Sequence, residues 1–439
     1  MTTLRKRGLA IAATASIAAL AIAGCSAAGG GGDGAADGDI TLTVMAWANA
    51  DESAMWEKVF DIYEDANPNV KITFEGNDVG TYRDVLNTKF AAGSPPDVFY
   101  LVGQWMGEYV ARDALLDYNE YADDIDLASM NAPILESQEI DGALYGVPTG
   151  STAIGLLANT KVLGELGIDL PDDSNWSWDD FIEWSTSVTE ASDGATHGSY
   201  FDAAWLPTFS TYVREHGEDV FDQAGELAVE ESTVEAWFEQ TREFFDSGAF
   251  PGPETIDQSG AIVPEESPIA KAKVATAIIP TNTIGGYAAA LGEGNYEILR
   301  LPGDSTEDRL GIAITPTLVW SAAASSPQAK EAAKLVDWLT NDIESYDIRG
   351  TYLGVPINAE AADALAPTLK PDEEMFVSYV AGLLGEDRAP YYMEPAGAGA
   401  VSDALLSIVT ELSFDRLTPA EAAARFMTDA QTALDNAVQ

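Results

Sequence analysis

The stretch Ile40-Thr41-Leu42-Thr43-Val44-Met45-Ala46-Trp47, followed by Met55, Trp56, Val59, Phe60 and Tyr63 at helical spacing, decides the fold. Ile40, Leu42, Val44 and Ala46 alternate with Thr41, Thr43 and Met45, which is the period of a strand. Asp51 or Ser53 then caps a helix that Asn67-Pro68 stops. Val70, Ile72 and Phe74 give a second strand. Tyr82, Val85, Leu86 and Phe90 give a second helix, ended by Gly93, and Pro96-Asp97 leads into a third strand over 98–102. Strands alternating with helices predict a mainly parallel sheet covered on both faces, an architecture that binds ligands beyond the carboxyl ends of its strands.

Toward the C-terminus the style repeats without the sequence repeating. Residues 147–158 are apolar enough for a buried crossing strand, interrupted by Gly150 and the polar pair Ser151-Thr152. Helices are predicted over 178–189, 233–245 and 328–339 and a strand over 274–279, and the chain from about Lys370 onward is helical. There is no tandem repeat of the kind that builds solenoids or propellers. The length, 439 residues, predicts two or more lobes.

Toward the N-terminus, Arg5-Lys6-Arg7 precedes a small-apolar run over 8–23, too short to cross about 30 Å of hydrocarbon comfortably. Residues 1–24 read as a secretory signal closing on Ile22-Ala23-Gly24-Cys25. Cys25 is the only cysteine, so no disulfide forms within the chain. Residues 26–39 contain only Ser, Ala, Gly and Asp and bury nothing. They read as a flexible tether with a root-mean-square reach of about 20 Å.

Composition removes several classes of function. With 22 Lys+Arg against 72 Asp+Glu and a net charge of −50, the chain offers no basic stripe for nucleic acid or for anionic lipid. The hydrophobic fraction of 46% still supports substantial cores. Two histidines, His197 and His216, and one cysteine predict no His/Cys metal site and no bound cofactor. Phosphate-loop, nucleophile-elbow and zinc-protease motifs are absent from the sequence. A carboxylate pair for glycoside hydrolysis remains chemically open, although neighbours such as Asp123-Asp124 or Asp179-Asp180 are expected by chance among so many acids.

Several segments in order resemble the extracellular solute-binding proteins (family 1) of bacterial carbohydrate ABC importers. They are Thr43-Val44-Met45-Ala46-Trp47, Asn67-Pro68-Asn69-Val70 and Phe90-Ala91-Ala92-Gly93-Ser94-Pro95-Pro96-Asp97-Val98, then Asp141-Gly142-Ala143-Leu144-Tyr145-Gly146-Val147-Pro148 with Asn159-Thr160-Lys161. Trp176-Ser177-Trp178-Asp179-Asp180-Phe181, Lys273-Val274-Ala275-Thr276-Ala277 and Gly354-Val355-Pro356 continue the series, with Ala272 where the family usually has Gly. The leader resembles that of a bacterial lipoprotein, which implies acylation of Cys25, palmitate included, and an exported chain held by lipid on the outer face of the cell membrane.

The resemblance implies an α/β, two-lobed periplasmic-binding-protein-like fold of type II, hinge-connected, with a helical C-terminal region. Lobe 1 would be 40–150 plus 316–360 and lobe 2 would be 151–315 plus 361–439, with hinge strands at 150–154 and 315–318. It also implies a monomeric receptor that binds a carbohydrate without catalysis and delivers it to permease subunits served by a separate ATPase.

A sugar presents aliphatic faces and a rim of hydroxyls, so its site needs aromatic plates and short polar groups. Trp47, Asn49 and Asp51 follow the first strand, and Gln104 and Trp105 follow the third; Trp47 either faces the cleft or packs under the next helix. Thr149 and Thr152 stand at the crossing. Trp205 stands where the resemblance places an aromatic platform, Asn282 leaves the strand at 274–279, and Tyr391 and Tyr392 border a small-residue loop. Arg349 is a candidate for pairing with an acid, and the overall charge leans against polyanionic solutes. The competing expectations are a secreted glycoside hydrolase or another carbohydrate-active surface protein.

Overall fold

The computed structural model describes residues 39–437 apart from 201, 254–263, 305, 307–308 and 393. The expected signal peptide, Cys25 and the tether up to residue 38 lie outside the described residues.

Five strands form the first sheet, in the order Val70–Asn77, Ile40–Trp47, Val98–Leu101, Val319–Ala322, Val147–Pro148. Ile40–Trp47 runs parallel to Val70–Asn77, with Ile40 opposite Val70 and Trp47 opposite Asn77, and parallel to Val98–Leu101, with Val44 opposite Val98. Helix Ala50–Ala66 lays Trp56, Val59, Phe60 and Tyr63 on this sheet. Its cap is Asn49 rather than Asp51 or Ser53: Asn49 Oδ1 accepts from the N–H groups of Asp51 and Glu52, and Glu52 reaches back to the Asn49 N–H at 2.8 Å. The expectation of a mainly parallel sheet holds for three strands. Val319–Ala322 returns from the second lobe in the opposite direction and lies antiparallel between Val98–Leu101 and Val147–Pro148.

A second sheet has the order Tyr296–Leu299, Ile154–Asn159, Val274–Pro280, His197–Tyr200. Only the last of its three pairings is parallel. All six residues of Ile154–Asn159 are buried. Each sheet carries its own core, one built on Leu42, Trp56, Tyr100, Trp320 and Leu335, the other on Leu157, Phe181, Phe209, Trp237 and Phe426. Helices Pro371–Leu384, Ala398–Ser413 and Pro419–Ala437 bury Phe376, Leu405, Ile408 and Phe426 against the second core.

Three passes of the chain connect the lobes. The single crossing strand expected over 147–158 is broken into Val147–Pro148, Ser151–Thr152 and Ile154–Asn159. Ser151 exchanges backbone hydrogen bonds with Val355 at 2.7 and 2.9 Å, and Thr315–Pro316 pairs antiparallel with Ser151–Thr152. The Thr317 N–H donates to the Gly150 carbonyl at 3.0 Å, and the Thr149 N–H to the Leu318 carbonyl at 2.9 Å. Among the described residues no helix is long and apolar enough to cross a membrane.

Candidate functional site

Beside these crossings lie two cavities that share Val102 and Thr317 in their walls. The larger, about 770 Å³, is lined by Trp47 from the end of the first strand, Asn282 and Gly285 from beyond Val274–Pro280, and Arg349, Tyr352 and Lys370. The smaller, about 320 Å³, is lined by Gln138, Thr152, Trp205, Tyr391 and Glu394 among others.

Strand ends set the aromatic plates. Trp47 is half-buried and meets Tyr82, Tyr100 and Trp105 edge-on, with ring centroids 5.8, 6.0 and 6.2 Å apart. Those contacts hold the indole at the cavity wall instead of leaving it to rotate, so it both packs in the lobe and lines the cavity. Trp205 stands at the N-terminal end of helix Leu206–Glu215 and is half-buried. The Thr152 hydroxyl lies 3.0 Å from that of Thr281 and donates to Asn282 Oδ1 at 3.4 Å, a link between the crossing and the loop after Val274–Pro280.

The segment before Tyr391 is pinned from beneath. Arg214, 1% exposed, donates to the carbonyls of Ala389 and Pro390 at 2.8 and 3.1 Å and meets Asp219 at 2.8 Å. Burial pulls the Arg214 guanidinium pKa down and Asp219 opposes that pull. Burial pushes the Tyr391 hydroxyl well above the usual tyrosine range, with Glu394 adding to the effect, so the phenol stays protonated and able to donate.

The structure thus brings Trp47, Thr152, Trp205, Asn282 and Tyr391 to the two cavities, and Tyr392 to an adjoining small one that Arg214 and Asp219 also line. Four candidates whose side chains are described, Asn49, Asp51, Thr149 and Trp105, lie off these walls. Asn49 caps its helix and Asp51 is exposed on the first turn, because an acceptor preceding four orphan N–H groups is drawn to them. Thr149 is buried and its hydroxyl donates to the Leu318 carbonyl, so it knits the crossing. Trp105 backs Trp47 with the Arg83 guanidinium 5.0 Å over its ring. Gln104 belongs to helix Gly103–Val110, and its side chain lies outside what is described.

Gln138, Thr317, Tyr352 and Lys370 complete the walls and had no sequence signal beyond their polarity. Three wall residues hold buried polar atoms that lack hydrogen-bond partners among the described residues: Gln138 Oε1, Thr317 Oγ1, and Arg349 Nε and Nη1. Buried polar groups are normally satisfied, and other residues away from the cavities, Trp56 and Thr241 among them, also hold such atoms, so these three do not by themselves mark the walls. Among the described residues no group of three or more His, Cys, Asp or Glu side chains is placed to hold a metal ion.

The sequence matches the family described as "Bacterial extracellular solute-binding protein" over residues 46–344. The chain is similar to the maltotriose-binding protein of Pyrococcus abyssi, 27% identical over 125 residues, which is 28% of this chain and 27% of that relative. The chain therefore aligns with only about a quarter of that curated relative's length. The fold is that of an extracellular solute-binding protein family 1 member from Alicyclobacillus acidocaldarius, with a TM-score of 0.77 at 20% identity over 92% of this chain and 100% of the other. A periplasmic oligogalacturonide binding protein from Yersinia enterocolitica superposes with a TM-score of 0.78 at 18% identity, over 91% and 100% of the two chains.

Proposed function

The chain belongs to the bacterial extracellular solute-binding proteins, and from that premise we infer that it captures a sugar or related polar solute in the cleft between its lobes and passes it to an ABC permease. The observation that carries the reading is the pairing of Trp47 and Trp205, one plate from each core's side of the crossings, with the polar side chains of Thr152, Asn282 and Tyr391 on the walls of the same cavities. Stacked indoles cover a sugar's aliphatic faces, and Gln138, Thr152, Asn282 and Tyr391 can satisfy hydroxyls that would otherwise cost about 1 to 3 kcal/mol each when buried.

Lobe 1 is 40–150 plus 316–360 and lobe 2 is 151–315 plus 361–439, with the crossings at 150–154 and 315–318 as hinge. A solute that touches both lobes only when they close shifts the open–closed equilibrium by its differential affinity for the two forms. No bond in the solute breaks. The protein works as a monomer without a cofactor, is exported, and is held at the outer face of the membrane by acyl chains, palmitate among them, on Cys25. The permease and its ATPase are separate chains.

Thermal-shift measurement against a panel of neutral sugars tests this. A true solute stabilises by RT ln(1 + [L]/Kd), about 4 kcal/mol at a thousandfold excess over Kd. Solute recovered unchanged supports the reading; steady release of new reducing ends assigns the cleft to a glycoside hydrolase instead.

A further inference from the structure

Resting on the solute-capture reading, we propose that the solute carries a carboxylate, as a uronic acid does, and that Arg349 is the residue that receives it. Two arginines are buried among the described residues, Arg214 and Arg349. Arg214 meets Asp219 at 2.8 Å. Arg349, 4% exposed, forms no ion pair with any described carboxylate, and only Nη2 is bonded, to the Leu339 carbonyl at 2.6 Å and to Ser345 Oγ at 3.4 Å. The guanidinium carbon sits 3.8 Å from the Tyr346 ring centroid, which steadies the cation without neutralising it. Nε and Nη1 have no hydrogen-bond partner among the described residues.

A buried cation left half-satisfied is costly, and a chain with 72 acids has no shortage of partners to offer it. The residue instead forms part of the wall of the larger cavity, together with Trp47, Thr351 and Tyr352 on its own side and Asn282 opposite. A pyranose ring resting near Trp47 would bring an attached carboxylate toward this charge, and an arginine matches a carboxylate's two oxygens in geometry as well as charge.

The cavity wall carries other charges besides Arg349. Lys370, Asp372 and Glu373 share its wall, so with Arg349 the cationic and anionic side chains there are equal in number. Glu373 also accepts from the Lys370 N–H at 3.0 Å. Salt screens charges beyond a Debye length of about 8 Å at physiological ionic strength, so the groups on the wall itself weigh most on what the cavity accepts.

The test compares D-galacturonate with D-galactose and D-glucuronate with D-glucose on the full-length protein by calorimetry and thermal shift, with sodium acetate alone as control. The expected result is an acid bound at least about tenfold tighter than its neutral twin, weakening as NaCl rises. Arg349→Gln should abolish the preference of acid over neutral sugar, and Arg349→Lys should restore part of it. Should Arg349→Gln fail to fold, the preference of the unaltered protein and its salt dependence still decide. Neutral sugars binding as tightly as acids, or Arg349→Gln weakening both alike, overturns the inference and leaves solute capture standing. Acetate stabilising as strongly as galacturonate overturns it in favour of a free-anion site. No stabilisation by any sugar, charged or neutral, brings down the solute-capture reading and this inference together.

Discussion

Gly150 lies so close to the carbonyl oxygen of Leu353 that a β-carbon on it would stand 2.4 Å from that oxygen. The obstacle is backbone held in the ladder between Ser151 and Val355, so it cannot swing aside as a side chain would. Gly354 mirrors the arrangement, with φ at +98° and a β-carbon position 2.6 Å from the Ser151 oxygen.

Gly150→Ala should therefore lose about 1 to 3 kcal/mol of stability through forced backbone displacement. Gly80→Ala, on the exposed face of helix Val79–Ala91 with nothing within 4 Å, should be neutral or gain up to about 1 kcal/mol. Urea unfolding of the two variants side by side checks both, and equal midpoints would refute the packing argument.

Ala272 adopts φ +53°, a left-handed conformation that suits glycine, and the N–H of its neighbour Lys273 donates to the Pro268 carbonyl at 2.8 Å to complete the turn. A left-handed alanine carries a steric penalty of about 1 to 2 kcal/mol, which glycine lacks. Ala272→Gly should raise the urea midpoint, with the gain trimmed by glycine's greater freedom in the unfolded chain.

Replacing Trp205 with alanine should weaken solute binding about 10- to 100-fold with little change in unfolding, because the side chain is half-buried at a cavity wall. Trp205→Phe should recover much of the loss. Titration calorimetry with whichever sugar the panel identifies provides the measurement; unchanged affinity in Trp205→Ala removes the plate from the site.

Asn49→Ala should behave in the opposite way. Losing a cap that accepts from Asp51 and Glu52 costs about 1 kcal/mol of stability, while sugar affinity stays the same. A fall in affinity at constant stability would return Asn49 to the binding surface.

Alkaline titration tests the tyrosine environments. Burial, aided by Glu331 and Asp337, pushes the Tyr63 hydroxyl up to about 12, and burial likewise raises Tyr82, Tyr100 and Tyr118. The unfolded chain releases these protons near pH 10, so above that pH the native state binds more protons and loses stability. Tyr63's share, about 2 to 3 kcal/mol, is fully present below about pH 10 and gone above about pH 12. Tyrosinate absorbance should lag behind that of the urea-unfolded protein until the fold collapses; coincident titration curves would contradict the burial assignment.

How far the sequence was legible depended on distance along the chain. The alternation of Ile40, Leu42 and Val44 and the spacing of Trp56, Val59, Phe60 and Tyr63 are local signals, and the strand and helix form where those signals lie. Asn49 and Glu52 also spelled a capping box at the right spacing, a signal that competed with the sugar reading and prevailed. Trp47 and Asn282 could be nominated because they flank predicted strands, and Trp205 because the family resemblance implies an aromatic platform there. Val319–Ala322 could not be placed as an antiparallel insertion, since its partners Val98–Leu101 lie more than two hundred residues earlier. Tyr352 and Lys370 reach the larger cavity by that same long-range assembly, which no periodicity announces.

The insertion of Val319–Ala322 between Val98–Leu101 and Val147–Pro148 also governs the order of events during biogenesis. Until residue 322 has been synthesised, Val98–Leu101 is an open edge and the N-terminal sheet lacks its central connection. Such late-arriving partners make maturation slow and keep the emerging polypeptide pliable. An export machine that threads unfolded chains would meet this one in a threadable state, and the lobe that begins first would be sealed only after most of the other has been made.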